Sequence, residues 1–149
     1  MAAGISNEEF RAYAALIASS TLLQRAVEQN LREQAGLTQV QFEILMNLSI
    51  AGDSGMRMAQ LADALIVSRS GLSYQVAQLE ARGWISRQRF GDDERGVVAH
   101  ITPKGERMRQ RVFAGHVDVV RNAFLDVIEP RELETLTVAL ERVVGRLRS

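Results

Sequence analysis

Residues 67–89, VSRSGLSYQVAQLEARGWISRQR, decide the fold of this chain. The large apolar side chains in the first half of this stretch share one side of a helical wheel. They are Leu72, Val76 and Leu79. Ser68 is a favourable N-cap residue and Gly83 is favourable just after the last turn, which predicts a helix that reaches Arg82. After Gly83 the apolar period changes from helical to extended, so we expect a strand to follow the helix directly.

A second short helix and a hairpin surround this stretch. Helical spacing over Met58–Leu65 predicts a helix that a tight turn joins to the one described above. Trp84–Phe90 and Val97–Ile101 are predicted strands, joined by a tip at residues 91–96 that is rich in glycine and acidic residues. Two short helices with a tight turn, followed by a basic hairpin, form a winged helix-turn-helix, which we place at residues 38–102.

The helix that precedes this unit is unusually long. A capping box of Ser6 and Glu9 begins it and Gly36 ends it. Thr38 and Gln41 form a second capping box, which begins the next helix. The first helix spans about 30 residues, more than the usual length in globular proteins, and its apolar band is broad. We therefore expect it to bury against more than its own domain.

The C-terminal part of the chain is also predicted to be helical. Thr102 caps the helix that follows the hairpin, and we expect that helix to continue to a break at Glu129-Pro130. The last segment repeats apolar residues at a spacing of three and four, namely Leu133, Leu136, Leu140, Val143 and Leu147. We therefore expect one mostly α domain (α+β), in which helices at residues 1–36 and 103–149 form a homodimer. The alternative is that these helices cover only the core of one monomer.

Composition limits the class of protein. The chain has 149 residues, which suits one domain, and no cysteine, which excludes disulfides, thiolate-bound metals and thiol redox sensing. The two histidines, His100 and His116, lack metal-ligand spacing, and the sequence has no glycine-rich phosphate loop. We therefore expect no enzyme, no metal and no cofactor. The sequence has no apolar run of membrane-spanning length and no signal-peptide pattern, which predicts a soluble cytoplasmic protein that does not engage the membrane.

Charge is distributed unevenly although the net charge is zero. Residues 57–111 carry 10 basic and 6 acidic side chains, a net charge of +4. Residues 1–56 carry 3 and 6, and residues 112–149 carry 5 and 6, so both flanks are acidic. The predicted winged helix-turn-helix therefore lies in the basic third of the chain, as expected for a partner that carries phosphates.

Small and polar residues occupy the outward face of the helix that follows Ser68, which permits close approach to the major groove. The residues that we expect to contact double-stranded DNA are Ser68 and Arg69 at the helix start, Ser70, Ser73, Tyr74 and Gln78 on its outward face, Arg87 and Arg89 on the strand, and Asp93 and Arg95 at the hairpin tip. The alternative is a merely solvated polar face. The basic hairpin directly after the helix favours DNA binding over that alternative.

The hairpin tip carries three consecutive acidic residues, which would repel phosphate. Asp93 lies two positions before Arg95, and a carboxylate so placed across a tight turn can orient a guanidinium by a bidentate pair. We expect Arg95, held in this way, to enter a narrow minor groove. A calcium-binding EF-hand loop is excluded because its spacing of twelve and its closing glutamate are absent.

Four short motifs stand in order along the chain: Val67-Ser68-Arg69-Ser70-Gly71-Leu72-Ser73, Leu79-Glu80-Ala81-Arg82-Gly83-Trp84-Ile85, Asp93-Glu94-Arg95 and Ile101-Thr102-Pro103-Lys104-Gly105. Together they resemble the MarR family of bacterial transcriptional regulators, in its turn, reading helix, wing and the start of the following helix. The resemblance implies a homodimer on a pseudo-palindromic operator, commonly a repressor that a small aromatic or lipophilic effector releases. A branch of that family senses oxidants through a cysteine, which this chain lacks.

Two further residues are candidates for an effector pocket. Tyr13 on the first helix and His116 on the helix after the hairpin are predicted to reach the region between the dimer helices and the DNA-binding unit. For each the alternative is an ordinary packed helix residue. A second function also stays open at this stage, namely a winged-helix module that acts through protein–protein contacts without specific DNA reading.

Overall fold

The computed structural model describes residues 4–90 and 96–149 and confirms the predicted winged helix-turn-helix between long helices. In chain order the elements are α1 (Asn7–Ala35), α2 (Gln39–Ala51), β1 (Met56–Arg57), α3 (Met58–Leu65), α4 (Arg69–Ala81), β2 (Ile85–Arg89), β3 (Val97–Ile101), α5 (Pro103–Ala123) and α6 (Pro130–Arg148). Short 3-10 turns follow α2 at Gly52–Ser54 and α5 at Leu125–Val127.

Local hydrogen bonds begin and end the first two helices as expected. The Ser6 hydroxyl accepts from the Glu9 amide at 3.1 Å, and the Glu9 carboxylate accepts in return from the Ser6 amide at 2.6 Å. Thr38 and Gln41 make the same reciprocal pair, with both distances at 3.1 Å. Gly36 ends α1 in the left-handed region with a φ of 63°, where glycine carries no steric cost. Both capping boxes are therefore confirmed.

The hydrophobic core lies inside the winged helix-turn-helix and extends to the C-terminal part of α1 and to α5. Its largest fully buried side chains are Leu31, Leu37, Phe42, Ile44, Leu45, Leu48, Leu61, Leu72, Val76, Leu79, Ile85 and Val112. Since α2, α3, α4 and the sheet all contribute to this cluster, the position of α4 is determined by packing on every side except its outer face.

The sheet contains a strand that the sequence did not indicate. Its order is β1-β3-β2, with Ile85 opposite Ile101 and Arg89 opposite Val97 in an antiparallel hairpin. β1 has only two residues, too few to show an alternating pattern, and it forms because β3 lies beside it. A Cβ at Gly55, just before β1, would lie 2.5 Å from the Ala99 carbonyl oxygen, so this approach requires glycine.

The end of α5 also differs from the expectation. The helix ends at Ala123, where Phe124 leaves helical geometry with φ −132° and ψ −61°. Glu129 then caps α6, and Pro130 occupies its first turn, where the missing amide hydrogen costs nothing. The Glu129-Pro130 pair therefore begins the last helix and does not end α5. None of the helices in the described ranges has the length and apolar character that a bilayer span requires.

Apolar side chains remain exposed on α1 and α6. The exposed large apolar residues of these helices are Phe10, Tyr13, Leu16, Ile17, Leu22, Leu133, Val138, Val143, Val144 and Leu147. No residue of α6 is buried, although the helix is strongly amphipathic. The predicted stripe is thus present on a helix that finds little cover within one copy of the chain.

Candidate nucleic-acid interface

The outer face of α4 carries the side chains that were expected to contact bases. Leu72, Val76 and Leu79 are at most 1% exposed, which confirms the buried side of the helical wheel. Tyr74 is 63% exposed. Ser70, Ser73 and Gln78 are likewise exposed on the same helix. The structure therefore brings these four polar side chains to one accessible surface.

The start of α4 is arranged to receive an anion. The Ser68 hydroxyl accepts a hydrogen bond from the Gly71 amide at 3.1 Å and so caps the helix. Arg69 is exposed at the first helical position. The amides of the first turn have no partner within the helix and meet the positive end of its dipole. Ser68 and Arg69 therefore lie where a phosphate group would be stabilised.

A single residue closes the turn between α3 and α4. Ile66 adopts φ 57° and ψ 48°, and its amide donates toward the carbonyls of Ala62 and Asp63. A β-branched residue rarely occupies this left-handed region, where glycine or asparagine is preferred. Sequence reasoning placed a tight turn here but did not identify the residue that makes it.

The two arginines of β2 are in different environments. Arg87 forms a bidentate pair with Glu80 of α4, with Nη2 at 3.0 Å from Oε1 and Nε at 3.3 Å from Oε2. These hydrogen bonds hold the pKa of the Glu80 carboxyl below its usual value. Arg89 is exposed at the end of the strand. Arg87 therefore joins the hairpin to α4, whereas Arg89 presents its charge to the surroundings.

The sequence predicts a minor-groove probe at the hairpin tip. Asp93 and Arg95 lie in residues 91–95, outside the described part of the chain. The strands on either side are paired up to Arg89 and Val97, so the hairpin itself is confirmed.

Arginines from two elements converge on the C-terminal end of α1. Arg82, just after α4, donates to the carbonyls of Ala35 and Gly36 at 3.4 Å, and its guanidinium lies 4.2 Å from the centre of the Trp84 ring. Arg111 of α5 donates to the Gln34 carbonyl at 3.3 Å. Cations at this end of a helix complement its dipole. Sequence reasoning missed these contacts, because no local pattern relates residue 82 to residue 35.

A cavity of about 380 Å³ opens between α1, α2 and α5. Its lining residues are Ser20, Leu23, Gln24, Val27, Gln39, Phe42, Glu43, Met46, Phe113, His116 and Val120. His116 was expected near such a pocket, and its ring centre lies 4.6 Å from that of Phe42. Burial lowers the pKa of His116, against the opposing effect of the Glu43 charge, which favours the neutral ring. Tyr13 is 59% exposed and does not line the cavity.

Comparison with known proteins identifies close structural relatives. Sco3205, a MarR family transcriptional regulator from Streptomyces coelicolor solved in complex with DNA, is 31% identical, with a TM-score of 0.93 over 100% of this chain and 93% of that one. AbsC, a MarR family transcriptional regulator from the same organism, is 33% identical, with a TM-score of 0.88 over 97% of both chains.

Sequence comparison agrees with the structural match. The transcriptional regulator PecS of Dickeya dadantii is 29% identical over 129 residues, which cover 86% of this chain and 74% of PecS. A family model described as the MarR family matches residues 35–96, which span most of the winged helix-turn-helix. With two solved relatives above 30% identity over nearly their whole length, the chain belongs to the MarR family.

Proposed function

We propose that this protein is a transcriptional regulator that binds double-stranded DNA at specific sequences. The observation that carries the proposal is the outer face of α4, which presents Ser70, Ser73, Tyr74 and Gln78 on a helix whose opposite side is fully packed. A rigid helix with small and polar outward residues fits the floor of the major groove, where base edges are distinguishable. The DNA complex of Sco3205, which has the same fold, supports this assignment.

Each part of the surface has a separate role in the proposal. Ser68 and Arg69 bind a phosphate at the start of α4, and Tyr74 and Gln78 contact base edges. Arg89 binds a phosphate beside the hairpin. The pair of Asp93 and Arg95 remains our proposed minor-groove probe, on the sequence argument given above.

The regulator works as a homodimer on a pseudo-palindromic operator. The proposed dimer layer comprises residues 1–36 and 103–149, and the proposed DNA-binding unit comprises residues 38–102. The exposed apolar side chains of α1 and α6 support this division, since helices with such stripes are stable when a second copy covers them. Two copies related by a twofold axis would present two α4 helices to successive major grooves.

A small lipophilic effector regulates the protein, commonly by releasing a repressor from its operator. The cavity between α1, α2 and α5 supports this step because it lies between the dimer helices and the packed DNA-binding unit. Its volume falls in the range of small-molecule sites. His116 lines it, and Tyr13 stays a candidate only through a rearrangement or through a second copy.

The proposed function requires neither catalysis nor a cofactor. His100 lies on β3 and His116 on α5, and the described residues contain no group of three acidic, histidine or cysteine side chains arranged for a metal. We propose a cytoplasmic location, because a DNA-binding regulator works where the chromosome is. A module that binds only proteins is the competing function, and the following experiment separates the two.

Selection of genomic fragments bound by the purified protein tests the proposal. We expect enrichment of one pseudo-palindromic sequence whose half-sites lie about one helical turn apart. Ser70→Glu, which places a negative charge on the outer face of α4, should abolish the enrichment. Gln110→Glu adds the same charge on the exposed surface of α5 and should retain it. Recovery of random fragments by the unchanged protein would contradict sequence-specific binding.

A further inference from the structure

The cavity between α1, α2 and α5 is lined by one acidic side chain, and no cationic side chain of the described residues lines the same cavity. Glu43 is half-buried in its wall, between the buried Phe42 and the apolar Met46. Glu43 Oε1 accepts a hydrogen bond from the side-chain Nε2 of Gln39 at 3.1 Å, and the described residues provide no hydrogen-bond partner for Oε2. No lysine or arginine lines the cavity, all of whose lining residues lie in the described part of the chain. The wall therefore has a negative charge and no cation to balance it.

The second ionisable side chain of this wall does not supply that balance. Burial lowers the pKa of His116 although the nearby Glu43 charge opposes this shift, so the neutral ring is favoured at pH 7. Its Nδ1 atom is buried without a hydrogen-bond partner. A buried polar atom without a hydrogen-bond partner destabilises the folded protein. The cavity thus contains a carboxylate oxygen and an imidazole whose polar groups are incompletely satisfied by the protein.

Arg109 contacts two residues of the wall, but its charge is paired with another carboxylate. Arg109 Nη1 lies 3.8 Å from the sulfur of Met46, and its guanidinium carbon lies 5.8 Å from the centre of the Phe113 ring. The same guanidinium forms a salt bridge with Glu106, which lies on the preceding turn of α5. Arg109 therefore contacts apolar residues of the wall, but its charge is paired with a carboxylate of its own helix.

We propose that the cavity binds a lipophilic amine in its cationic form, with the ammonium group on Glu43 and the apolar body between the walls formed by Phe42, Met46 and Phe113. This inference rests on the proposed function, because it takes the regulatory effector to be a cation. It excludes aromatic carboxylates as effectors of this protein.

Charge and desolvation decide between an amine and a carboxylate. An ammonium group donates a charge-assisted hydrogen bond to the free Glu43 oxygen, and such bonds are about twice as strong as neutral ones. A carboxylate in the same place would lose its hydration and face Glu43 without a counter-charge. The apolar residues Leu23, Val27 and Val120 line the remaining wall and would cover a ring system.

Calorimetric titration of the full-length protein, without DNA, tests the inference with three probes that share one ring system: 2-naphthylmethylamine, 2-naphthylmethanol and 2-naphthoate. At pH 7 we expect the amine to bind at least about tenfold more tightly than the carboxylate, with the neutral alcohol between them. Glu43→Gln should bring the amine down to the affinity of the alcohol. Glu33→Gln removes the same charge from the exposed side of α1 and should leave the order unchanged.

Several outcomes would overturn the inference. Tighter binding of 2-naphthoate would show that Arg109 leaves Glu106 for an anion, and an amine preference that survives Glu43→Gln would place the amine elsewhere. Absence of binding by all three probes would show that the cavity takes no lipophilic amine of this size. The alcohol reports on the fold of Glu43→Gln, since its affinity should not change.

The binding order is independent of DNA, so its failure is distinguishable from failure of the proposed function. If the protein prefers the amine but selects no DNA sequence, the inferred binding site stands and the proposed regulatory function fails. If the protein selects an operator but binds none of the probes, the proposed function stands and the inferred binding site fails. We expect that the amine also lowers operator affinity in the unchanged protein and not in Glu43→Gln.

Discussion

Residues of one type have different roles on this surface, depending on what they contact. Arg87 and Arg89 are two positions apart on β2, and the sequence predicts contact with DNA for both. Arg87 is paired with Glu80 through two hydrogen bonds, whereas Arg89 is exposed at the strand end. Tyr74 stands on α4 with most of its side chain accessible. We therefore expect alanine substitutions of these three residues to have three different effects on DNA binding.

Tyr74→Ala should reduce discrimination between operator and random DNA. Loss of one base-edge contact costs roughly 1–3 kcal/mol of discrimination at that position. The measurement is the ratio of dissociation constants for an operator duplex and a scrambled duplex at one salt concentration. Ser86→Ala, an exposed substitution on β2, is the control. A wild-type ratio in Tyr74→Ala would remove Tyr74 from the base-contacting set.

Arg89→Ala and Arg87→Ala should differ in the salt dependence of DNA binding. Removing a phosphate contact reduces by about 1 the magnitude of the slope that relates the logarithm of the association constant to the logarithm of the salt concentration. We expect this change for Arg89→Ala on both operator and random DNA. Arg87→Ala should change the slope less, because Glu80 already neutralises the Arg87 charge. Equal reductions by the two variants would show that Arg87 leaves Glu80 when DNA binds.

Residue-level roles were predictable where they depend on local spacing. The buried side of α4, formed by Leu72, Val76 and Leu79, follows from helical periodicity alone. The pairing of Arg87 with Glu80 does not, because it depends on the angle at which β2 leaves α4. The same holds for Glu43 and His116, which the packing of α2 against α5 brings into one cavity.

At the scale of elements, the C-terminal end of α1 is a junction. Arg82 joins it to the end of α4, and Arg111 joins it to α5, each through carbonyls of its last turn. The cation–π contact of Arg82 with Trp84 extends this junction to the start of the hairpin. Arg82 therefore links the end of α1 directly to the end of α4, in addition to the shared core that contains Leu31 and Leu79.

Arg82→Ala should weaken operator binding more than random DNA binding, because it loosens the position of α4 without removing a DNA contact. The free energy of unfolding should fall by about 1 kcal/mol through loss of the stacked guanidinium and its hydrogen bonds. Arg111→Ala is the matched control, since it loosens α1 from α5 only and should change operator binding less. Equal losses of operator affinity in both variants would show that Arg82 has no special positioning role.

Elements with strong local signals were predicted closely, and those that depend on distant partners were not. The capping boxes at Ser6 and Thr38 involve residues three positions apart, so the sequence contains the whole interaction. β1 exists because Met56 pairs with Ala99 in β3. The end of α5 at Ala123 follows no proline or glycine, and it coincides with the departure of Phe124 from helical geometry.

At the scale of the whole molecule, one copy of the chain leaves its apolar surface incompletely covered. α6 has no buried residue, and the groove beside it is lined mostly by apolar side chains, namely Phe124, Leu133, Leu136, Leu140 and Val144, together with Thr137 and Glu141. Monomeric proteins rarely expose a continuous apolar surface of this kind. A second copy is the cover that the proposed operator symmetry requires.

Replacement of Leu136 and Leu140 by aspartate should convert the proposed dimer to a monomer that has lost operator binding. Two carboxylates in the proposed interface would be buried without partners, which is strongly unfavourable. Sedimentation measures the assembly state, and circular dichroism reports whether the monomer stays folded. Thr135→Asp, on an exposed position of the same helix, should remain dimeric. A double variant that stays dimeric would show that the interface lies elsewhere.

Sequence-specific DNA binding is the central claim, and the salt dependence of operator affinity tests it most directly. The dissociation constants of an operator duplex and of a scrambled duplex are measured from about 50 to about 200 mM salt. We predict that the logarithm of the association constant falls linearly with the logarithm of the salt concentration for both duplexes, with a slope of about −0.9 for each phosphate contacted, and that the operator remains more tightly bound throughout. Equal affinity for the two duplexes, or an affinity that does not change with salt, would contradict the account.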